Sequence, residues 1–441
     1  MKPIRNFAIV ICAVLCMHSL ALAAVPGPIK VSPSGRHFVD RNNQPFFWLG
    51  DTAWPLLVQY SRPQAEAYLK TRSEQGFTVI QTVMAWGQGS GMEKKSPLPN
   101  SEGQHIWLDN NPGTPNAAYF KSVDALVEFA DRQGLVMALW PTWGYYVVEA
   151  KTINLTNARA YGNWLGKRYA KTPNIVWVVG GDRVPVGFEE EYRQLALGLR
   201  EGDQGAHLIS YHVSGGRSSS HFFHRESWLD FNMIQTWCDW FQIYPMVSSD
   251  AMQSPVKPVV LCEGAYENGP EYPTGPITPL LVRRQAWWTV TAGGSHTYGQ
   301  NQMWRMEPGW ESTFGTPGAL QVALMKTILT GLDWWDLVPD QAIFASGVSN
   351  ERTLNAAMRS VKGDKALVYF ASQCRGFINV SRIASKQAKA TWISPVDGRR
   401  KDAGTYLTGN HNGRPFPDNR VEAFATPDHW EDALLLLEAV Q

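Results

Sequence analysis

The chain has few cysteines and no excess of charge of either sign. Its 441 residues include 5 cysteines, 40 lysines and arginines, and 39 aspartates and glutamates. Cys12 and Cys16 fall in an apolar N-terminal segment, and three widely spaced cysteines do not make a disulfide framework. The balanced charge leaves no basic face for nucleic acid or anionic lipid. We therefore expect neither a disulfide-stabilised fold nor a nucleic-acid partner.

The sequence also lacks a motif with the residue spacing of a metal site. His221 and His224 lie close together, but no cysteine or acidic pair accompanies them at ligand spacing. Solvated loop histidines are the preferred interpretation of this pair. We expect no metal ion and no other cofactor.

The N-terminal segment has the pattern of an export signal. Lys2 and Arg5 precede an apolar stretch from Phe7 to Cys16, and Ala21-Leu22-Ala23 is a small-residue cleavage site. The stretch is too short to span a bilayer comfortably, so we expect no membrane span. Residues 1–23 are predicted to be a signal peptide, and the mature protein is predicted to be secreted or periplasmic.

Between residues 46 and 345, short apolar runs alternate with amphipathic helical stretches. This alternation is typical of repeated βα units around a parallel sheet, and eight strands close a TIM barrel. We therefore predict an α/β fold, with a (β/α)8 catalytic barrel over residues 46–345. The eight strand candidates are Phe46 to Asp51, Phe77 to Met84, Leu135 to Trp140, Asn174 to Asp182, His207 to His212, Phe231 to Trp237, Lys257 to Glu263 and Ser295 to Gln300.

The segments on either side of the barrel have a different pattern. Residues 24–45 suggest a β-hairpin, with turns at Pro33-Ser34-Gly35 and Arg41-Asn42-Asn43. Residues 356–441 contain short alternating runs, such as Ala366 to Phe370, which are separated by turn residues. This pattern predicts a small C-terminal antiparallel β-sandwich.

Two of the apolar strands run directly into a single carboxylate, at Asp182 and at Glu263. Reactive groups of a barrel lie at the C-terminal tips of its strands, and strands four and seven face each other across the mouth. Cleavage of an acetal needs a proton donor and a second carboxylate on the opposite side of the anomeric carbon. We predict that Asp182 is the general acid/base and Glu263 the nucleophile. Gly180 and Gly181 would let a ligand approach the backbone closely.

Polar and aromatic side chains at other strand tips complete the predicted site. The chain has 19 tryptophans, and flat aromatic rings pack well on the C–H faces of sugars. Core packing accounts for about half of them. For Asp51, a structural salt bridge is as plausible as a sugar contact. The predicted substrate-binding residues are Asp51, Trp54, Gln81, Trp143, His212, Gln235, Trp237, His296 and Tyr298.

Three longer motifs surround these positions. They are Phe46-Phe47-Trp48-Leu49-Gly50-Asp51-Thr52-Ala53-Trp54, the Trp-Val-Val-Gly-Gly-Asp ending of the strand at Asp182, and Glu263-Gly264-Ala265-Tyr266-Glu267. Together they resemble the apiosidase-like glycoside hydrolase family. The resemblance implies a barrel followed by a small β-domain labelled collagen-binding, with Asp182 as acid/base and Glu263 as nucleophile. It also implies that the substrate is an apiosyl linkage, as found in the pectic polysaccharide rhamnogalacturonan II.

The C-terminal domain departs from the family pattern. Relatives tend to show Trp-x-Asp-Pro-Arg-Thr-Gly, whereas this chain has Trp392-Ile393-Ser394-Pro395-Val396-Asp397-Gly398. We therefore interpret the small domain as structural support for the barrel.

The leading hypothesis is a secreted, metal-independent glycosidase that cleaves a furanosidic, apiosyl-type linkage in an oligo- or polysaccharide of the plant cell wall. A retaining mechanism is favoured, which needs carboxyl groups about 5 to 5.5 Å apart, whereas inversion needs roughly 6.5 to 9.5 Å. Two alternatives stay open. One is a non-catalytic carbohydrate-binding or adhesive surface protein on a barrel scaffold, and the other is a pentofuranosidase of different specificity.

Overall fold

A small antiparallel sheet closes the bottom of the molecule. The computed structural model describes residues 27–89, 92–270, 272–273, 275–409 and 420–440, so the predicted signal peptide lies outside the described residues. The sheet consists of β1 (Lys30–Val31), β2 (Phe38–Val39) and β3 (Pro45–Phe46). The ring of Phe38 lies 5.2 Å from Trp48 and 5.3 Å from Phe231, which precede two barrel strands. The predicted hairpin is therefore a three-stranded sheet that covers the barrel floor.

A nearly closed, mostly parallel barrel follows, and the predicted fold class is confirmed. The strands of this region are β4 (Leu49–Thr52), β5 (Val79–Val83), β6 (Gln88–Gly89), β7 (Met92–Glu93), β8 (Val136–Trp140), β9 (Ile175–Gly180), β10 (Ile209–His212), β11 (Arg217–Ser218), β12 (Asn232–Gln235), β13 (Val259–Glu263) and β14 (Ser295–Tyr298). The barrel sheet has the order β10-β9-β8-β5-β4-β14-β13-β12-β11, and β6 and β7 form a separate hairpin. Each of the eight predicted barrel strands corresponds to one parallel strand of this sheet.

The barrel closes between β10 and β12 without a regular ladder. The amide of Asp230 donates to the carbonyl oxygen of Ile209 at 2.9 Å. The hydroxyl of Ser210 donates to the carbonyl oxygen of Phe231 at 2.6 Å. These bonds bring β10 next to β12 and hence bring the tips of β9, β10 and β13 around one mouth.

Helices surround the barrel, and the longer ones bury apolar side chains against it. They are α1 (Arg62–Glu74), α2 (Ala117–Arg132), α3 (Tyr145–Val148), α4 (Ala158–Tyr169), α5 (Glu189–Gly202), α6 (Ser220–Phe223), α7 (Ile243–Ala251), α8 (Pro279–Thr291), α9 (Asn301–Arg305) and α10 (Pro317–Thr330). Within the described residues, no helix is both long and apolar enough to cross a membrane.

Strand side chains alternate between the barrel interior and the helical layer. On β9, Val176 and Val178 belong to the inner core, whereas Trp177 and Val179 pack towards the helices. This alternation decides which strand-tip residues can reach the mouth.

The C-terminal domain consists of two packed antiparallel sheets, as predicted. Its strands are β15 (Leu337–Pro339), β16 (Phe344–Ser346), β17 (Ala356–Ser360), β18 (Lys365–Phe370), β19 (Arg375–Asn379), β20 (Gln387–Ile393), β21 (Arg400–Leu407), β22 (Val421–Ala425) and β23 (Ala433–Ala439). One sheet has the order β15-β17-β18-β23-β20-β21 and the other β16-β19-β22. Because β15 and β16 belong to these sheets, the small domain begins near residue 337. The sequence pattern instead predicts that the small domain starts at residue 356 and that the barrel ends at residue 345.

Buried ionic contacts join the small domain to the barrel. Arg283 of α8 donates from Nη2 to Asp432 at 2.8 Å, and its side chain is 2% exposed. Arg284 donates to the carbonyl oxygen of Ala371 at 2.8 Å. The two domains therefore share an ordered, partly charged interface on α8.

Candidate active site

Asp182 stands on a tight turn that glycines make possible. Gly180, Gly181 and Asp182 have φ angles of 97°, 125° and 49°, in the left-handed region that favours glycine. A Cβ on Gly181 would lie 2.5 Å from the ring of Trp143, and one on Gly180 would lie 2.3 Å from the carbonyl oxygen of His212. The double glycine thus lets the chain pass these two groups and place Asp182 at the mouth.

A β-bulge brings Glu263 to the same place. Ile234 pairs with Leu261, but the next residue of β12, Gln235, pairs with Glu263, so Cys262 is an extra residue in β13. Val260 and Cys262 face the interior and Leu261 faces the helices. Strict alternation would therefore turn Glu263 outwards, and the bulge turns it back into the barrel.

The two carboxylates and His212 form one cluster. One oxygen of Asp182, one oxygen of Glu263 and one ring nitrogen of His212 all lie within 4.8 Å of one another. The Nε2 atom of His212 is 3.4 Å from Oε2 of Glu263. Gln235 donates from Nε2 to Oδ1 of Asp182 at 2.8 Å. The three donor atoms are close enough to hold a cation as well as to surround an anomeric carbon.

Burial controls the protonation of this cluster. Removal from water raises the pKa of Asp182 to about 6, and repulsion from Glu263 adds to the rise. Burial raises the pKa of Glu263 to about 8, although the hydroxyl of Tyr266 opposes the rise. Burial lowers the pKa of His212 to about 4, so this imidazole is neutral near pH 7. The carboxylate pair therefore holds a single proton between about pH 6 and pH 8.

Aromatic side chains form the wall behind the cluster. The ring of Trp54 stacks on His212, with centroids 5.5 Å apart and planes 17° from parallel. Trp143 lies 5.2 Å from Trp54 and 5.5 Å from His212. Both tryptophans are 3% exposed, whereas Trp237 on the rim is 42% exposed. Trp54 and Trp143 hence pack behind His212 as a buried wall of the site, whereas the ring of Trp237 is partly exposed to solvent.

Tyr266 is a residue of this site that the sequence reasoning did not select. Trp54 donates from Nε1 to its hydroxyl oxygen at 2.9 Å. Because an indole N–H can only donate, the hydroxyl proton of Tyr266 stays available for Glu263. The only sequence signal was its place in the Glu263-Gly264-Ala265-Tyr266-Glu267 motif.

Gln81 points into the barrel below the carboxylates. Its Nε2 atom donates to the carbonyl oxygen of Cys262 at 2.9 Å and to the hydroxyl of Thr52 at 3.2 Å. Cys262 directly precedes Glu263, so Gln81 supports the bulge from inside.

The structure does not bring Asp51, His296 and Tyr298 to the mouth. Asp51 is fully buried and forms an ion pair with Arg72 of α1 at 2.5 Å. His296 contacts Thr289 of α8 at 3.3 Å. The hydroxyl of Tyr298 donates to Glu267.

The three residues occupy the outward positions of β4 and β14, where side chains face the helical layer. For Asp51, the contacts match the salt bridge that the sequence analysis had weighed against a sugar contact.

Several buried polar atoms in the pocket make no hydrogen bond within the described part of the chain. They are both ring nitrogens of His212, Oε1 of Gln235 and Oε2 of Glu263. Buried polar atoms in native proteins are normally paired. The three residues that carry these atoms belong to the cluster around Asp182, and a ligand with several hydroxyl groups would satisfy them.

Comparisons with known proteins agree with this geometry. The family model described as "Apiosidase-like, catalytic domain" matches residues 32–336. The family model "Putative collagen-binding domain of a collagenase" matches residues 338–438. No curated protein is significantly similar to the chain in sequence.

Two similar solved structures are described as glycoside hydrolases. One, described as a glycoside hydrolase, is 27% identical with a TM-score of 0.84, and the match covers 94% of this chain and 97% of that one. Another, described as a family 5 glycoside hydrolase from Bacteroides vulgatus, is 26% identical with a TM-score of 0.83, covering 94% and 95%. Because the catalytic-domain model matches more than half of the chain, this chain belongs to the apiosidase-like glycoside hydrolase family.

Proposed function

We propose that this protein is a retaining glycosidase that removes an apiosyl-type furanosyl residue from pectic polysaccharide. Glu263 is the nucleophile and Asp182 the general acid/base. The observation that carries the proposal is the pair of carboxylates at the barrel mouth, the half-buried Asp182 and the buried Glu263, with one oxygen of each within 4.8 Å of the other. This separation supports retention, because inverting enzymes hold their carboxyl groups roughly 6.5 to 9.5 Å apart to admit a water molecule.

The reaction has two displacements. In the first, a carboxylate oxygen of Glu263 bonds to the anomeric carbon, the glycosidic C–O bond breaks, and Asp182 gives its proton to the departing oxygen. In the second, Asp182 takes a proton from water, the water oxygen bonds to the anomeric carbon, and the bond to Glu263 breaks. Gln235, bonded to Asp182, orients the acid through both steps.

This division of roles requires the single proton of the pair to move when substrate binds. The free site places the proton on Glu263, the carboxyl group with the higher pKa. The mechanism needs it on Asp182, so substrate binding must reverse the order. A glycosidic oxygen beside Asp182 favours its protonated form by accepting a hydrogen bond, and positive charge developing at the anomeric carbon favours the carboxylate of Glu263.

Membership of the family supports the proposed substrate class. Apiose gives the apiosidase-like family its name, and the unpaired polar atoms around His212, Gln235 and Glu263 suit the hydroxyl groups of a furanose ring. We also propose that residues 1–23 direct export, since a polysaccharide outside the cell requires a secreted or periplasmic enzyme. Sequencing the N-terminus of the protein recovered from the periplasm or medium would test the cleavage.

Two substitutions test the chemistry. Glu263→Gln and Asp182→Asn keep the size of each side chain, and each should abolish release of apiose from rhamnogalacturonan II fragments while binding is retained. Asp239→Asn is the matched control, because this exposed carboxylate lies on the rim after β12. Unchanged turnover in either active-site variant would refute the proposal. Binding without turnover by the unmodified protein would instead support a non-catalytic carbohydrate-binding protein.

A mechanism-based label separates the roles of the two acids. A 2-deoxy-2-fluoro furanoside with a good leaving group slows the second displacement and leaves the sugar on the nucleophile. Mass spectrometry of the digested protein should find the label on Glu263. A label on Asp182 would reverse the assignment, and an inverted anomeric product would exclude retention.

A further inference from the structure

Trp237 has an exposed ring and an unfavourable backbone conformation at the rim of the site. Its side chain is 42% exposed, whereas Trp54 and Trp143 are each 3% exposed. Its φ angle of 49° lies in the left-handed region, where a bulky residue is an outlier. Such conformations persist only where surrounding contacts enforce them, and they cluster at binding sites.

The two residues before Trp237 bond to the side chain of Asp182 and to the backbone of Glu263. The side chain of Gln235 donates to Oδ1 of Asp182 at 2.8 Å. The amide of Thr236 donates to the carbonyl oxygen of Glu263 at 3.0 Å. The position of the indole is therefore fixed relative to the reacting groups by two consecutive residues.

The ring itself is held edge-on by a second aromatic side chain. The centroids of Trp237 and Tyr272 are 5.6 Å apart, with an interplanar angle of 63°. The hydroxyl of Tyr272 accepts a hydrogen bond from the amide of Tyr266 at 3.0 Å, and Tyr272 is 3% exposed. A buried, anchored tyrosine thus supports one side of the indole, and 42% of the Trp237 surface remains exposed.

We propose that Trp237 is the binding platform for the sugar on the leaving-group side of the scissile bond. This inference rests on the proposed function, since it takes Asp182 as the proton donor. The leaving oxygen must then lie beside Asp182, and Trp237 lies two residues after Gln235, whose side chain binds Asp182. The ligand is a sugar ring of the saccharide chain that remains after cleavage, and its C–H face stacks on the indole.

Substrates with and without a leaving-group sugar test the platform. The first probe is a rhamnogalacturonan II oligosaccharide that ends in an apiosyl residue, and the second is apiofuranosyl fluoride, whose leaving group is one atom. Trp237→Ala should lower kcat/KM on the oligosaccharide by about tenfold, the equivalent of one well-packed aromatic contact, and change it on the fluoride by less than about twofold. Trp237→Phe keeps a flat ring and should recover most of the loss.

A second exposed tryptophan provides the matched control. Trp335 is 38% exposed, and it lies at the barrel floor with Phe47 and Trp48. Trp335→Ala should change neither reaction. The midpoint of thermal unfolding for each variant shows whether the fold is retained.

The result that would overturn the platform is an equal loss on both substrates, or no loss on either. A calorimetric titration of the oligosaccharide into Glu263→Gln, with and without Trp237→Ala, measures the contribution of Trp237 to Kd in the absence of turnover. The additional substitution should weaken Kd by about tenfold, and an unchanged Kd would overturn the inference. Failure of the proposed function appears differently, as absent turnover of both substrates by the unmodified protein.

Discussion

Replacing Asp51 with asparagine separates a structural role from a substrate-binding role. The side chains of Asp51 and Arg72 are both fully buried, and Arg72 Nε lies 2.5 Å from Oδ2 of Asp51. The hydroxyl of Tyr68 donates to the same oxygen. Asparagine has the shape of aspartate but no charge, so Asp51→Asn leaves a guanidinium buried without a counter-charge.

The expected loss is large because the remaining charge has no water around it. Removing one partner of a buried ion pair typically costs about 3 to 5 kcal/mol of unfolding free energy. At about 2 °C per kcal/mol for a large domain, the unfolding midpoint should fall by about 6 to 10 °C. At temperatures well below that midpoint, kcat/KM should be unchanged, because Asp51 faces α1 and not the pocket.

Denaturant titration followed by tryptophan fluorescence would measure the loss, together with kinetics on the same sample. Glu201→Gln is the control, because it breaks the exposed ion pair with Arg159 and should change the unfolding transition little. A variant of Asp51 with unaltered stability and greatly reduced kcat/KM would refute the structural role. It would favour the sugar contact that the sequence had suggested.

Three further predictions concern the pocket. The profile of kcat/KM against pH should be bell-shaped, with limbs near pH 6 and pH 8. Below about pH 6, Asp182 and Glu263 are both protonated and no nucleophile remains. Above about pH 8, both are ionised and no proton donor remains. A plateau through both limbs would contradict this. Trp54→Phe keeps the stack on His212 but loses the hydrogen bond from the indole N–H to Tyr266. The value of kcat should therefore fall by about tenfold with KM little changed. Equal activity would show that this hydrogen bond is not needed. Dialysis against EDTA should leave activity unchanged, and a loss restored by added Zn²⁺ or Ca²⁺ would instead show that the cluster with His212 holds a metal ion.

The barrel could be predicted from the sequence because its signal is local and repeated. Apolar runs such as Ile175 to Val179 and Val259 to Cys262 are long enough to be buried on both faces, and helical stretches separate them. The positions of Asp182 and Glu263 at strand ends follow from the same pattern. The domain boundary was harder to place, because β15 is a strand of only three residues that directly follows the barrel.

The directions of side chains were less predictable than their positions. A strand tip places a residue near the mouth, but alternation sends every second side chain into the helical layer. Asp51 and Tyr298 therefore meet Arg72 and Glu267 rather than the pocket. Polar residues at strand tips also serve as partners for helix residues, and the identity of those partners depends on packing between distant segments.

The orientation of Glu263 also depends on distant segments, but here they turn the side chain into the pocket. Alternation along β13 alone, with Val260 and Cys262 inward, would send Glu263 towards the helices. It reaches the pocket because Gln235 of the neighbouring strand pairs with it and skips Cys262. The bonds that fix this register come from β12 and from Gln81 of β5, which donates to the carbonyl oxygen of Cys262. No preference within residues 257–263 encodes the bulge, so the meeting of the two carboxylates is a property of strand pairing across the barrel rather than of either strand.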